Sequence, residues 1–429
     1  MVASLMSPTR RSTRYTASFE SGERWSGGSA LVARAFQGKD GTIRVPGEVL
    51  RSRRAVNGEL WVEAHDGGVL LLPRLADLRK LYVEPTTSCN LSCRTCARQN
   101  WSDPDSWMDV GTFQRLMEQT AELPLLRRIE FCGIGEPLTH PGILEMIRMA
   151  RERALAVTVS TNGLLLNKTI CEELVAHGVD RLVLSLDGAD PRTYEDIRGV
   201  PFADVLANAR LLKKTKEERG SLLPALEIEF VAMRRNAREL PDLARLASEL
   251  GATRILVSNL LAYTEEMYEQ ILYGYGPRGA SALPGWPVRT GAWIVWGILD
   301  LPRMHWGAER RCRFVQDSAA VIGWDGGVSP CYALAHNYSY LALDGRQKNV
   351  SRYLHGCIPQ QSLLEIWTSE EYARFRSEVR SFRFPSCPDC DLRESCDLRE
   401  QNKGCWGWNP SCADCLYAQD IIRCPGAGR

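Results

Sequence analysis

From residue 79 onward, short apolar runs alternate with longer stretches whose apolar residues recur at helical spacing. The runs at 80–84, 128–131, 156–160, 181–186, 226–231 and 254–258 predict strands. The stretches at 113–122, 143–153, 170–177, 205–214 and 240–250 predict amphipathic helices. Six such β-α units predict an α/β fold of parallel strands joined by right-handed crossovers. On this pattern alone, a doubly wound sheet is the runner-up arrangement.

Residues 29–75 have a different texture. Asp40-Gly41 precedes a β-branched run, Asn57-Gly58 reads as a hairpin-type turn before the run at 59–63, and Asp66-Gly67-Gly68 precedes the run at 69–73. This order of glycine, β run, proline and two further strands resembles the AbrB-type swapped-hairpin fold. That resemblance implies dimerisation or DNA contact through 29–75, with Arg51, Arg53 and Arg54 available to phosphates. A solvated basic face on an accessory module is the simpler account. Residues 1–28 read as a disordered basic tail.

Composition narrows the class. The chain has 429 residues, 44% of them hydrophobic, enough for about two to three domains. No apolar run reaches the roughly 18 residues of a membrane span, and the N-terminus lacks the apolar core of a secretory signal. The net charge of +1 gives no global attraction to nucleic acid. Fifteen cysteines are many, and ten of them fall between Cys312 and Cys424. Disulfide scaffolds are short secreted chains, so ligation of a metal or cluster in a reducing cytoplasm is the better account.

Cys89, Cys93 and Cys96 form a C-x3-C-x2-C triplet just after the first predicted barrel strand. A closed structural site wants four ligands. Three thiolates hold a 4Fe–4S cube with one iron left open for a ligand; zinc with a water is the competing occupant. Phe131-Cys132-Gly133-Ile134-Gly135-Glu136-Pro137, Ser160-Thr161-Asn162-Gly163 and Ser185-Leu186-Asp187-Gly188 follow the next three strands. Together these resemble the motifs of the radical S-adenosylmethionine (SAM) superfamily. The resemblance implies a partial (β/α)6 TIM barrel, a 4Fe–4S cluster on Cys89, Cys93 and Cys96, and SAM chelated by the open iron. It assigns Glu136 to the SAM ammonium and Gly133 and Gly135 to close backbone approach, with Pro137 fixing the chain behind them. Asn162, Ser185 and Asp187 are candidates for the ribose or adenine, and Arg198 is either a SAM-carboxylate contact or a surface arginine. Thr95 replaces the aromatic residue usual before the third cysteine. The implied reaction is reductive cleavage of SAM to methionine and a 5′-deoxyadenosyl radical that removes hydrogen from a substrate. A low-potential donor, ferredoxin or flavodoxin, supplies the electron.

Cys312-x13-Gly326-x4-Cys331 and Cys387-x2-Cys390-x5-Cys396, followed by Cys405, Cys412, Cys415 and Cys424, resemble the SPASM extension. That extension implies one or two auxiliary 4Fe–4S clusters, the first on Cys312 and Cys331 and the second on Cys387, Cys390 and Cys396. The cysteine usual soon after the first is absent, and which late cysteine serves which cluster stays open. Zinc ribbons are the alternative. Cys132, Cys171 and Cys357 read as packing residues. The chain thus divides at 1–28, 29–75, a barrel at 79–300 and a cluster domain at 301–429. An aromatic insert at 262–310, holding Tyr263, Tyr268, Tyr273, Tyr275, Trp286, Trp293, Trp296 and Trp306, either caps a cavity or packs between domains.

The run at 93–101, Cys-Arg-Phe-Val-Gln at 312–316 and the ending at 405–425 resemble the tungsten cofactor oxidoreductase radical SAM maturases. This implies a role in maturing a tungsten aldehyde:ferredoxin oxidoreductase or its pterin cofactor. Two alternatives stand beside it: modification of a ribosomal peptide, and a DNA-binding regulator that uses its clusters as redox sensors.

Overall fold

A computed structural model describes residues 76–273, 298–304, 310–387, 390–407 and 409–423, together with the backbone of four strands nearer the N-terminus. Those four are β1 (Phe36–Gln37), β2 (Ile43–Arg44), β3 (Ala55–His65) and β4 (Gly68–Leu75). They pair antiparallel as β1–β2 and β3–β4. Asn57-Gly58 is not a hairpin turn: it lies inside β3, where the register shifts between Ala55 and Leu60. A glycine within a strand marks such a bulge. The tail at 1–28 and residues Arg51, Arg53, Arg54, Tyr275, Trp286, Trp293, Trp296, Trp306 and Cys424 lie outside the described residues.

The six predicted barrel strands are all present. They are β5 (Lys80–Val83), β6 (Arg128–Phe131), β7 (Ala156–Thr161), β8 (Arg181–Ser185), β9 (Ala225–Ala232) and β10 (Ala252–Asn259). They neighbour one another in sequence order and run parallel. A doubly wound sheet would reverse its order at a switch point. No reversal occurs, so the sheet is the partial (β/α)6 barrel.

The sheet extends past both edges. β11 (Leu299–Asp300) adds parallel to β10. β12 (Ala319–Ile322) adds parallel to β5, with Ala319 opposite Lys80 and Ile322 opposite Val83. β13 (Gly327–Ser329) and β16 (Gly356–Cys357) continue antiparallel beyond β12. A separate hairpin, β14 (Tyr338–Leu341) with β15 (Gln347–Val350), follows β13 in the chain.

Alternation along the strands gives the sheet two different faces. Leu81, Val83, Ile129, Phe131, Val157, Val159, Leu182, Leu184, Ile228, Phe230, Ile255 and Val257 share the face that packs on the helices. Each large apolar side chain so buried contributes about 1.5–3 kcal/mol. The opposite face is charged and internally paired. Lys80 lies 2.8 Å from Glu130, Arg254 3.4 Å from Glu227, and Arg423 2.9 Å from Asp300. Helix Val110–Gln119 is capped by Asp109, and helix Lys168–Ala176 by Asn167. Helix Pro191–Arg198, which periodicity did not predict, starts at an Asp190 cap with Pro191 in its first turn and ends at left-handed Gly199. Those three residues are helix punctuation. Of the aromatic insert, Tyr268 and Tyr273 are buried, their hydroxyls donating to the carbonyls of Leu343 and Leu260. Among the described residues, no helix is long and apolar enough to cross a membrane.

Candidate active site

The cysteine loop leaves the C-terminal end of β5 and is tied down on all sides. Thr86 and Thr87 donate their hydroxyls to the carbonyls of Ser106 and Pro104, at 2.7 and 2.6 Å. Arg94 N–H donates to the carbonyl of Ile197, so helix Pro191–Arg198 braces the loop. Gln99 donates to the Cys93 carbonyl at 2.7 Å. Burial raises the thiols of Cys89 and Cys96, the latter to about 11, and the mutual charges of the three sulfurs raise them further. The three sulfurs of this loop are a donor set for a cationic centre. Among the described residues no group of three or more Cys, His, Asp or Glu closes around a single metal ion. The three thiols are a set that would hold a 4Fe–4S cluster with one iron open to a ligand. Tyr263, from the aromatic insert, lies close enough to Cys96 for their charges to interact.

Glu136 is the hub between three strand ends. It is 3% exposed. Its Oε1 accepts from Leu138 N–H at 3.1 Å and from the Thr161 hydroxyl at 2.7 Å, and its Oε2 accepts from Asn162 N–H at 2.7 Å. Burial pushes its pKa up, and these donors pull against that rise. A carboxylate has about four acceptor sites; three are filled here. Glu136 N–H donates to the Ser88 carbonyl, which joins the hub to the cysteine loop. Gly135 explains the closeness of the joint: a Cβ there would stand 2.2 Å from the Thr86 carbonyl oxygen. At Gly133 a Cβ would collide with the Glu84 side chain. Both glycines therefore admit neighbouring protein. Pro137 opens the short 3-10 turn that Glu136 caps.

The other predicted residues are placed as follows. Asn162 donates its side-chain amide to Asn90 Oδ1 at 2.8 Å, so it holds the cysteine loop. Asp187 is fully buried and accepts from Val231 N–H. Arg198 is no surface residue: its guanidinium lies 2.6 Å from Asp187 and 3.9 Å from Cys93 Sγ. Ser185 ends β8, half-buried, opposite Glu229 of β9.

Glu229 escaped sequence reasoning. Burial, and then the charge of Asp187, push its pKa up to about 8. The folded protein therefore retains a proton that the unfolded chain releases near the ordinary value of 4.5. The stability this group contributes is full below that value and is lost as pH rises toward 8. Glu229→Gln should remove the loss. The variant is expected to melt above the parent protein at pH 8 and to match it near pH 5. An unchanged difference between the two pH values in anaerobic melting curves would count against this assignment.

A second group also went unpredicted. Glu84 Oε1 accepts from Ile134 N–H at 2.9 Å, while its Oε2 lies 2.9 Å from His336 Nε2, off the hydrogen-bond axis. His336 Nδ1 lies 2.6 Å from Asp103. Burial alone would lower the imidazole pKa, but the two carboxylates override it and hold the ring toward its cationic form. The trio ties the glycine loop, the segment after the cysteines and the C-terminal region together.

The C-terminal cysteines sort into two quartets. Burial raises Cys312 and Cys387, each to about 12. Their neighbours then differ. Cys412 feels Cys415, Cys331 and Cys312, whereas Cys405 feels Cys396 and Cys390, and Cys387 feels Cys405. Cys331, Cys412 and Cys415 line one cavity. Cys132 and Cys171 are buried, the latter in the main core, and Cys357 donates to the Asp325 carbonyl.

Residues 83–223 match the Radical SAM superfamily, and residues 312–391 match the iron–sulfur cluster-binding SPASM domain. The chain belongs to the radical SAM superfamily and is an iron–sulfur, SAM-dependent enzyme with a SPASM extension. It is 37% identical over 353 residues to the tungsten-containing aldehyde ferredoxin oxidoreductase cofactor-modifying protein of Pyrococcus furiosus, a match spanning 81% of this chain and 97% of that one. It is 29% identical over 335 residues to the PqqA peptide cyclase of Xanthomonas campestris pv. campestris, spanning 73% of this chain and 79% of the relative. Its fold resembles that of Streptococcus suis SuiB bound to S-adenosylmethionine. The TM-score is 0.52 at 18% identity, covering 82% of this chain and 75% of that one. Enzyme membership sets aside the reading of the chain as a non-enzymatic DNA regulator.

Proposed function

We propose that the protein is a maturase that modifies the tungsten-pterin cofactor of an aldehyde:ferredoxin oxidoreductase, or that oxidoreductase itself. The observation that carries this reading is the likeness to the Pyrococcus furiosus cofactor-modifying protein, which runs through nearly the whole of that relative. Cys89, Cys93 and Cys96 would hold the SAM-binding cluster, with an electron from ferredoxin or flavodoxin. The cluster they would hold would supply the electron for reductive cleavage of SAM to methionine and a 5′-deoxyadenosyl radical. The protein binds and orients. The unfilled acceptor site of Glu136 takes the SAM ammonium. Ser185 is the strand-end hydroxyl for ribose or adenine, while Asn162 and Asp187 act one step back by holding Asn90 and Arg198. Arg198 places positive charge beside Cys93, offsetting the charge of the loaded loop.

Cys312, Cys331, Cys412 and Cys415 would hold one auxiliary cluster, and Cys387, Cys390, Cys396 and Cys405 the other. The divisions at 29–75, 79–300 and 301–429 are units of function, with dimerisation or DNA contact assigned to the first. Thiolate ligation calls for a reducing compartment and fits the cytoplasm.

The test is a mass comparison. A tungsten aldehyde oxidoreductase is purified from cells with and without this gene, and its extracted cofactor and peptide map are weighed. A mass difference in the cofactor is expected. A difference confined to a peptide moves the protein to polypeptide modification, the second reading, which the likeness to PqqA peptide cyclase favours. No difference in either, with the oxidoreductase fully active, overturns the maturase reading.

A further inference from the structure

We propose that Lys348 is an electrostatic bridge shared by the two auxiliary clusters, and that its ammonium raises the reduction potential of both. The proposal rests on the reading of the two cysteine quartets as cluster ligands.

The hairpin of β14 and β15 stands between the quartets. On one side it grips the loops of the second. Arg346 Nη1 donates to the Cys396 carbonyl at 3.0 Å, and Asn349 forms a parallel bridge with Gln401. The Asn402 side chain accepts from Ser351 N–H and donates to the Ser351 carbonyl, each at 3.0 Å. On the other side, Lys348 and Val350 line a cavity with Cys331, Cys412 and Cys415 of the first quartet. Lys348 is 6% exposed. Its Nζ lies 3.3 Å from Asp414, a buried carboxylate placed between Cys412 and Cys415 in the chain. Its neighbours Arg346 and Asn349 meet the stretch from Cys396 to Gln401, so the strand that carries Lys348 lies against both quartets.

A buried ammonium is costly unless its charge is used. Among the described residues Asp414 is the carboxylate that answers it, in a region with eight thiols. An electron entering a cluster adds negative charge, and a fixed cation nearby favours that state; net charge and hydrogen bonding to the sulfurs set cluster potentials. A lysine that served only to neutralise Asp414 needs no place between two quartets. Lys348 and Asp414 should therefore act on both clusters at once and in opposite directions.

The experiment is an anaerobic, EPR-monitored redox titration of the full-length, cluster-loaded protein, with iron and sulfide counted for every sample. Lys348→Met is expected to lower both auxiliary midpoint potentials, Asp414→Asn to raise both, and Lys348→Arg to leave them near the parent values. Potentials that stay fixed, a shift in one cluster only, or a shift in the same direction for Lys348→Met and Asp414→Asn would overturn the proposal. If Lys348→Met fails to load iron, Asp414→Asn decides: a rise in both potentials supports the bridge and no rise overturns it. Fewer than two auxiliary clusters in the parent protein overturns the reading of the quartets instead, and the bridge with it.

Discussion

Replacing Cys93 by Ala is expected to reduce cleavage of SAM to background while the auxiliary clusters stay in place. Two thiols, Cys89 and Cys96, would remain in the loop, too few to hold a cube with an open iron. Arg198, 3.9 Å from Cys93 Sγ, would lose its partner there. A fall of about a thousandfold or more, equivalent to ~4 kcal/mol in the barrier, is the expected scale. The quartets around Cys312 and Cys387 belong to other segments and should still load. The check is 5′-deoxyadenosine formed per protein under reducing conditions, beside iron and EPR spectra. Undiminished 5′-deoxyadenosine in the variant would sink the assignment of the triplet.

Glu136 should give the next largest effect, in SAM binding. Glu136→Ala removes the acceptor for three donors, those of Leu138, Thr161 and Asn162. Each donor left unpaired costs about 1–3 kcal/mol, so this variant mixes lost affinity with lost stability. Glu136→Gln is cleaner. Its oxygen can take the place of Oε1 and keep Leu138 and Thr161 satisfied, while its amide group faces Asn162 N–H and adds a donor where the SAM ammonium needs an acceptor. A hydrogen bond to a charged group is worth about 1.5–3 kcal/mol, so SAM affinity should fall roughly 10- to 100-fold. Calorimetric titration of SAM into the reconstituted protein measures it, with iron content as control. Equal affinity in both proteins would remove Glu136 from the SAM site.

The barrel was legible because its strands carry two messages at once. Leu81 and Val83, or Ile129 and Phe131, mark the helix-facing side, and the strand-end motifs follow at the spacing of β-α units. The cysteine loop and Glu136 were legible for the same reason: motif and strand end coincide. What stayed hidden depends on residues far apart in sequence. Arg198 reads equally as a SAM-carboxylate contact or a surface arginine until helix Pro191–Arg198 is laid against the cysteine loop and Asp187. Glu84, Asp103 and His336 are unremarkable singly and form a site only when three segments meet. Cys405 and Cys412 are similar in sequence context, yet packing sets Cys405 near Cys396 and Cys390 and Cys412 near Cys415 and Cys331. Asn57-Gly58 misled because a turn dipeptide and a bulge share the same residues.

The pairing of β12 with β5 also governs how the enzyme is made. Lys80 and Ala319 face each other across the sheet, yet a ribosome adding about 5–20 residues per second needs on the order of ten to fifty seconds to travel from one to the other. Through that interval one edge of β5 has no partner, and His336, which joins Glu84 to Asp103, has not yet been synthesised. That side of the cysteine loop is covered only when the C-terminal region arrives. The strand that carries the cysteine loop is the first of the barrel to be made and among the last to be covered.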